Sequence, residues 1–298
     1  MKKPNKKKPI TVIPKIRNAH STTRKVISWI SGGAALLMLT TLAACGDKAA
    51  DSSGQTELIV FAAASMTETL NEISAIYHET APNVKLIFNF DSSGTLKTQI
   101  QEGAECDVFV SAGQKQMDQL DANASADVNT EGLDFVLGGA RVNLLENRIA
   151  LVVPAGNPAN IHSFGDMADS LKAGGVLMAM GNSDVPVGQY TQSILKFFNL
   201  DEQALAGSGV ISYGSNVKEV TVQVSEASVD FGVVYATDAF AAGLSVVDYA
   251  NTDMCGRVVY PAAVLNISNN PEEAGAFLDY LSGGEAMAVF EKAGFSRP

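Results

Sequence analysis

Ser65, Ser93 and Asn216 each stand where an apolar run gives way to a stretch with helical periodicity, and Val187 follows a proline at a fourth such place. In "IVFAAASMTETLNEI" the strand-like Ile59–Phe61 is followed by small residues, then by Leu70, Ile73 and Tyr77 at helical spacing. Ser65 is a preferred N-cap, with Glu68 three residues on completing a capping box. "NFDSSGTLKTQI" repeats the plan with Ser92, Ser93 and Gly94. "DVPVGQY" sets Pro186 at a helix entry before Val187 and Gly188. "YGSNVKEV" offers Asn216 as a cap with Glu219 at the box position. A helix start carries unpaired N–H groups and the positive end of the dipole, so these turns suit an anion. Taken one at a time, each serine or asparagine is most simply a cap. Facing one cleft together, the four would hold an anion with neutral donors, each N–H or O–H to a charged oxygen being worth about 1.5–3 kcal/mol.

Other chemistries have little to stand on. The chain contains no HExxH, CxxC or GxSxG pattern, and its three histidines, His20, His78 and His162, are scattered. Neither a metal site nor a hydrolase elbow is supported, and no catalytic constellation is visible. The chain reads as a binding protein without cofactor rather than an enzyme. Cys106 and Cys255 read as isolated thiols, with a disulfide as the alternative in an oxidising compartment.

The elements that must position these turns alternate along the chain. Apolar runs at Val84–Phe90, Asp107–Gly113, Arg148–Pro154, Gly174–Gly181, Gly209–Gly214, "DFGVVYATDAF" and "RVVYPAAVL" are separated by helical stretches. Such alternation predicts βαβ units on mainly parallel sheets flanked by helices. "RIALVVP" and "VVYPAAVL" carry prolines, which suit a sheet edge or a crossing between lobes. Two crossings there divide the chain into lobe I (56–147 plus 260–298) and lobe II (151–257), with a ligand cleft between.

Residues 1–44 read as an export signal: nine basic residues, no acidic ones, then the apolar "VISWISGGAALLMLTTLAA" running into Cys45. "TLAAC" resembles the lipobox of bacterial lipoproteins, which implies cleavage before Cys45 and lipidation of its sulfur. An uncleaved membrane anchor is the alternative reading. Either places the remainder outside the cytoplasm, with residues 45–55 as a polar tether. Without the leader, 12 basic residues face 32 acidic ones, a formal net charge of −20. That balance disfavours nucleic acid as a partner.

"VFAAASMTETL", "SSGTLKTQIQEGAECDVFVSAG", "DVPVGQY", "FGVVYATDA" and "FLDYLSGGEAMAVFEKAGF" together resemble the periplasmic molybdate-binding proteins of ABC importers. The likeness covers nearly all of residues 57–296. It implies a type II solute-binding fold, two α/β lobes joined by two hinge strands, in a monomer that hands its ligand to a permease and ATPase. It also implies an oxyanion shell: Ser65 and Ser93 through hydroxyl and N–H, Val187 and Val217 through backbone N–H, and Tyr235 through its hydroxyl. Three positions depart from the pattern. Val187 replaces a common alanine, Gly94 a frequent third serine, and Asn216 and Lys218 a charged pair. Asp91, Asp184 and Asp238 are expected to face away from the anion, the last two on the outer face or at the hinge. The expected ligand is molybdate, with tungstate close behind. Phosphate near neutral pH carries a proton needing an acceptor, which a cleft of donors lacks. The alternatives are a receptor for another oxyanion such as sulfate and, from a different class, an exported serine hydrolase.

Overall fold

The computed structural model describes residues 54–298. The expected signal, Cys45 and all but the end of the tether lie outside them. Among the described residues no helix is long and apolar enough to cross a membrane.

The chain begins with β1 (Thr56–Ala63), α1 (Thr67–Thr80), β2 (Val84–Asp91), α2 (Ser93–Gln101), β3 (Val108–Val110), α3 (Gln114–Asp118) and β4 (Val136–Asn147). It then passes through β5 (Ile149–Val153), α4 (Phe164–Ala173), β6 (Met178–Gly181), α5 (Pro186–Phe197), α6 (Glu202–Gly207) and β7 (Ile211–Gly214). Next come α7 (Val217–Ser225), β8 (Phe231–Tyr235), α8 (Ala236–Ala241), β9 (Ser245–Tyr249) and α9 (Thr252–Cys255). β10 (Val258–Leu265), α10 (Pro271–Ser282) and α11 (Gly284–Lys292) complete it.

The strands form two five-stranded sheets, β2-β1-β3-β10-β4 and β7-β6-β8-β5-β9. Each is mixed. The βαβ portions pair in parallel, β1 with β2 and β3, and β6 with β7 and β8. The strands next to the crossings, β4, β5, β9 and β10, pair antiparallel. The chain moves between sheets twice, from β4 to β5 through Arg148 and from β9 to β10 through α9. This gives the two-lobed α/β architecture its two connections. Pro261 is not at an edge: β10 lies between β3 and β4, and the missing N–H is absorbed at a register shift between Tyr260 and Pro261.

Burial follows the periodicities. α1 turns Leu70, Ile73 and Tyr77 inward, and the Tyr77 ring packs 5.0 Å from Phe277 and 4.8 Å from Tyr280. α7 buries Val217, Val220 and Val224. β5, β8 and β10, sandwiched between neighbours, are buried along their whole length. Burying each large apolar side chain contributes about 1.5–3 kcal/mol, so the inner sheets are rigid platforms for the turns at their ends. Cys106 and Cys255 are both free thiols.

Candidate functional site

Ser65 departs from its expected role. It lies in a 3₁₀ turn, Ala64–Met66, ahead of α1, whose N-cap is Met66 with no side-chain cap. The Ser65 hydroxyl instead meets the Tyr260 hydroxyl at 3.0 Å, and Glu68 bonds Lys218 rather than closing a capping box. The SSG turn divides its labour. Ser92 caps α2 by accepting from Thr95 N–H at 3.1 Å, while the Ser93 hydroxyl accepts from Ala112 N–H at 2.9 Å. Asn216 caps α7 as expected, accepting from Glu219 N–H, and Glu219 returns to accept from Ser215 N–H at 2.7 Å. Val187 and Val217 are the second and first residues of α5 and α7, where backbone N–H groups have no intrahelical acceptor. Gly188 is required beside Val187, since a Cβ there would lie 2.2 Å from the Asn182 carbonyl oxygen. Tyr235 ends β8 at the entry to α8.

All five residues are buried, and contacts between the sheets draw them together. Tyr235, at the end of β8, donates at 3.3 Å to the carbonyl of Ala112, in the turn after β3, so Tyr235 and Ser93 hold the same residue. The Tyr235 and Tyr260 rings sit 5.5 Å apart, edge to face, and Tyr260 reaches Ser65. The Ser65 turn packs on α7, which brings Val217 alongside. Gly94 abuts Asp184 just ahead of α5, where a Cβ would be 2.1 Å from the carbonyl oxygen. The lobes are therefore shut on these turns.

Burial first, then neighbouring Tyr260, holds the Tyr235 phenol well above its ordinary range, so the group keeps its hydrogen. Asp91 accepts from Ser92 N–H at 2.7 Å and Asp184 is exposed. Asp238 is not on the outer face: it is 1% exposed, with Lys218 Nζ 3.0 Å from Oδ1 and neither oxygen in full hydrogen-bond geometry. Burial pushes its carboxyl up to about 6 against the opposing pull of Lys218. Lys218 also bridges to Glu68 at 2.8 Å, linking the two lobes. Tyr260 and the Lys218–Asp238 pair carried no sequence signal, because their partners are remote or offset in the chain.

A groove of about 250 Å³ touches Ser65 from the side of α1, α8 and α11, but its lining is mostly apolar and includes Glu68 and Glu72. It includes none of the other four residues. The partners of the two serine hydroxyls are a phenol and a backbone amide, whereas His78 is exposed and His162 bonds Asn160 on the surface.

Residues 58–296 match the family model of the bacterial extracellular solute-binding proteins. The chain belongs to that family. This solute-binding protein is 33% identical over 88% of its length to a putative ABC transporter substrate-binding lipoprotein of Bacillus subtilis (strain 168), covering 96% of that relative. It is 31% identical to a molybdate-binding protein of Haemophilus influenzae, across 80% of this chain and 90% of the relative. Among solved structures, the substrate-binding domain of a putative molybdenum ABC transporter from Clostridium difficile superposes with a TM-score of 0.59 at 29% identity, over 82% of this chain and 100% of that one.

Proposed function

We propose that this protein captures molybdate, and tungstate with it, outside the cytoplasm and delivers it to an ABC importer, anchored to the membrane by a lipid on Cys45. The observation that carries the reading is the convergence of uncharged donors from both sheets: the Ser65 and Ser93 hydroxyls, the α5 and α7 starts and the Tyr235 phenol. No guanidinium takes part, which suits a dianion held by fixed dipoles. The relatives named for molybdate favour this ion over other oxyanions. In the present geometry the Tyr235 hydrogen is spent on Ala112, so binding entails its turning to the ion, a charged acceptor outcompeting a carbonyl. The family's role as solute binders and the lack of a base beside either serine both weigh against the hydrolase reading. Sulfate, a smaller tetrahedron, would leave donors unpaired.

Isothermal titration with molybdate, tungstate, sulfate and phosphate tests this. Micromolar or tighter binding of the first two, with much weaker sulfate, is expected; a preference for sulfate sinks the reading. Ser93→Ala removes one donor to a charged oxygen and should weaken molybdate about 10–100-fold, as 1.5–3 kcal/mol implies.

A further inference from the structure

We propose that Tyr260 and Asn147 are positioning residues that commit the Ser65 hydroxyl to donating its hydrogen to the bound anion. The proposal rests on Ser65 being an anion contact. The order of donation begins at a hydrogen that cannot rotate: Arg148 backbone N–H donates to Asn147 Oδ1 at 2.8 Å. That bond fixes which end of the amide is oxygen. Asn147 Nδ2 then directs its two hydrogens to Thr237 Oγ1 at 2.9 Å and to the Tyr260 oxygen at 3.3 Å. The Tyr260 oxygen is thereby engaged as an acceptor, which favours Tyr260 as the donor in its 3.0 Å bond with Ser65 Oγ. Ser65, accepting from Tyr260, has its hydrogen free for the cleft.

Burial supports the order. Tyr260 is fully buried, and desolvation keeps its phenol far above the ordinary range, so the group retains the hydrogen that it gives to Ser65. Ser93 reaches the same state in one step, because the rigid Ala112 N–H occupies its oxygen. Both serines then present hydrogens, with one acceptor lone pair of each already taken. A protonated oxyanion finds fewer acceptors for its own hydrogen there, so the relay bears on selectivity as well as affinity.

A double-mutant cycle on the full protein reads this out, using titrations with molybdate and with inorganic phosphate at pH 7. Tyr260→Phe removes the hydroxyl and leaves the ring edge to face with Tyr235 and Phe295. We expect it to weaken molybdate about tenfold in the wild-type background and less than twofold in Ser65→Ala. The ratio of molybdate to phosphate affinity should fall, since Ser65 regains a free acceptor. Asn147→Leu, a second route to the same end that keeps the Tyr260 hydroxyl, should give a smaller loss that also vanishes in Ser65→Ala. Equal effects in both backgrounds, with selectivity unchanged, overturn the relay while leaving the molybdate reading intact. If wild type fails to bind molybdate, or Ser65→Ala binds as tightly as wild type, the underlying reading falls and takes the relay with it.

Discussion

Gly94→Ala should weaken molybdate binding by one to two orders of magnitude while leaving the ligand-free protein as stable as before. The new Cβ would lie 2.1 Å from the Asp184 carbonyl oxygen and 2.9 Å from its carbon. Both are backbone atoms that cannot rotate aside. Overpacking of this kind costs about 1–3 kcal/mol, and here the cost falls on the closed state alone because the two residues belong to different lobes. Gly94 is the second residue of α2 and has no positive φ, so alanine fits the helix and slightly favours it. Titration calorimetry with thermal melting of the ligand-free protein checks both halves. A loss of melting temperature matching the loss of affinity would assign the effect to folding and not to closure.

Lys218→Met should be strongly destabilising. It strands Asp238, whose side chain is 0% exposed, without its one cation. Breaking a buried pair from one side costs roughly 3 kcal/mol, or about 6–12 °C in melting temperature for a chain of this size. The cost depends on pH in a definite direction. Burial holds the Asp238 pKa at about 6 in the folded protein against 3.8 ordinarily, so between these values the folded state binds a proton that the unfolded state releases. Its contribution to stability is therefore greatest below about pH 4 and is lost as pH rises through 6. Without Lys218 the folded pKa rises further, so the deficit should be largest at pH 7.5 and shrink at pH 5.5. Adding Asp238→Asn to the variant should restore most of the loss. Melting curves of both variants at the two pH values decide it; a pH-independent deficit rules out the buried carboxylate as its source. The accompanying break of the exposed Lys218–Glu68 pair adds little.

Local chemistry was the legible part of this sequence. Strand-to-helix junctions, the Pro186 entry, and the Asn216 cap with its Glu219 partner all follow from short-range preferences, and they appear where the residues put them. β4 was missed because it lies at a sheet edge with Gly138, Gly139 and Asn143 exposed, so no apolar alternation marks it. β9 is short and half-buried and gives no clearer pattern. Ser65 has the local signature of a cap, yet a tyrosine 195 residues away claims its hydroxyl. The outer-face expectation for Asp238 fails for a related reason. Its position in α8 says nothing of Lys218 on α7, which makes burial of the carboxylate tolerable. Backbone-local interactions can be read from spacing, whereas polar partners joined through the fold cannot.

Asn147 is the last residue of β4 and Tyr260 the third of β10, so the network that aims Ser65 is built from the two segments linking the lobes. β4 and β10 are hydrogen-bonded neighbours in one sheet, so the amide and the phenol hold their relation to each other at the very place where the lobes join.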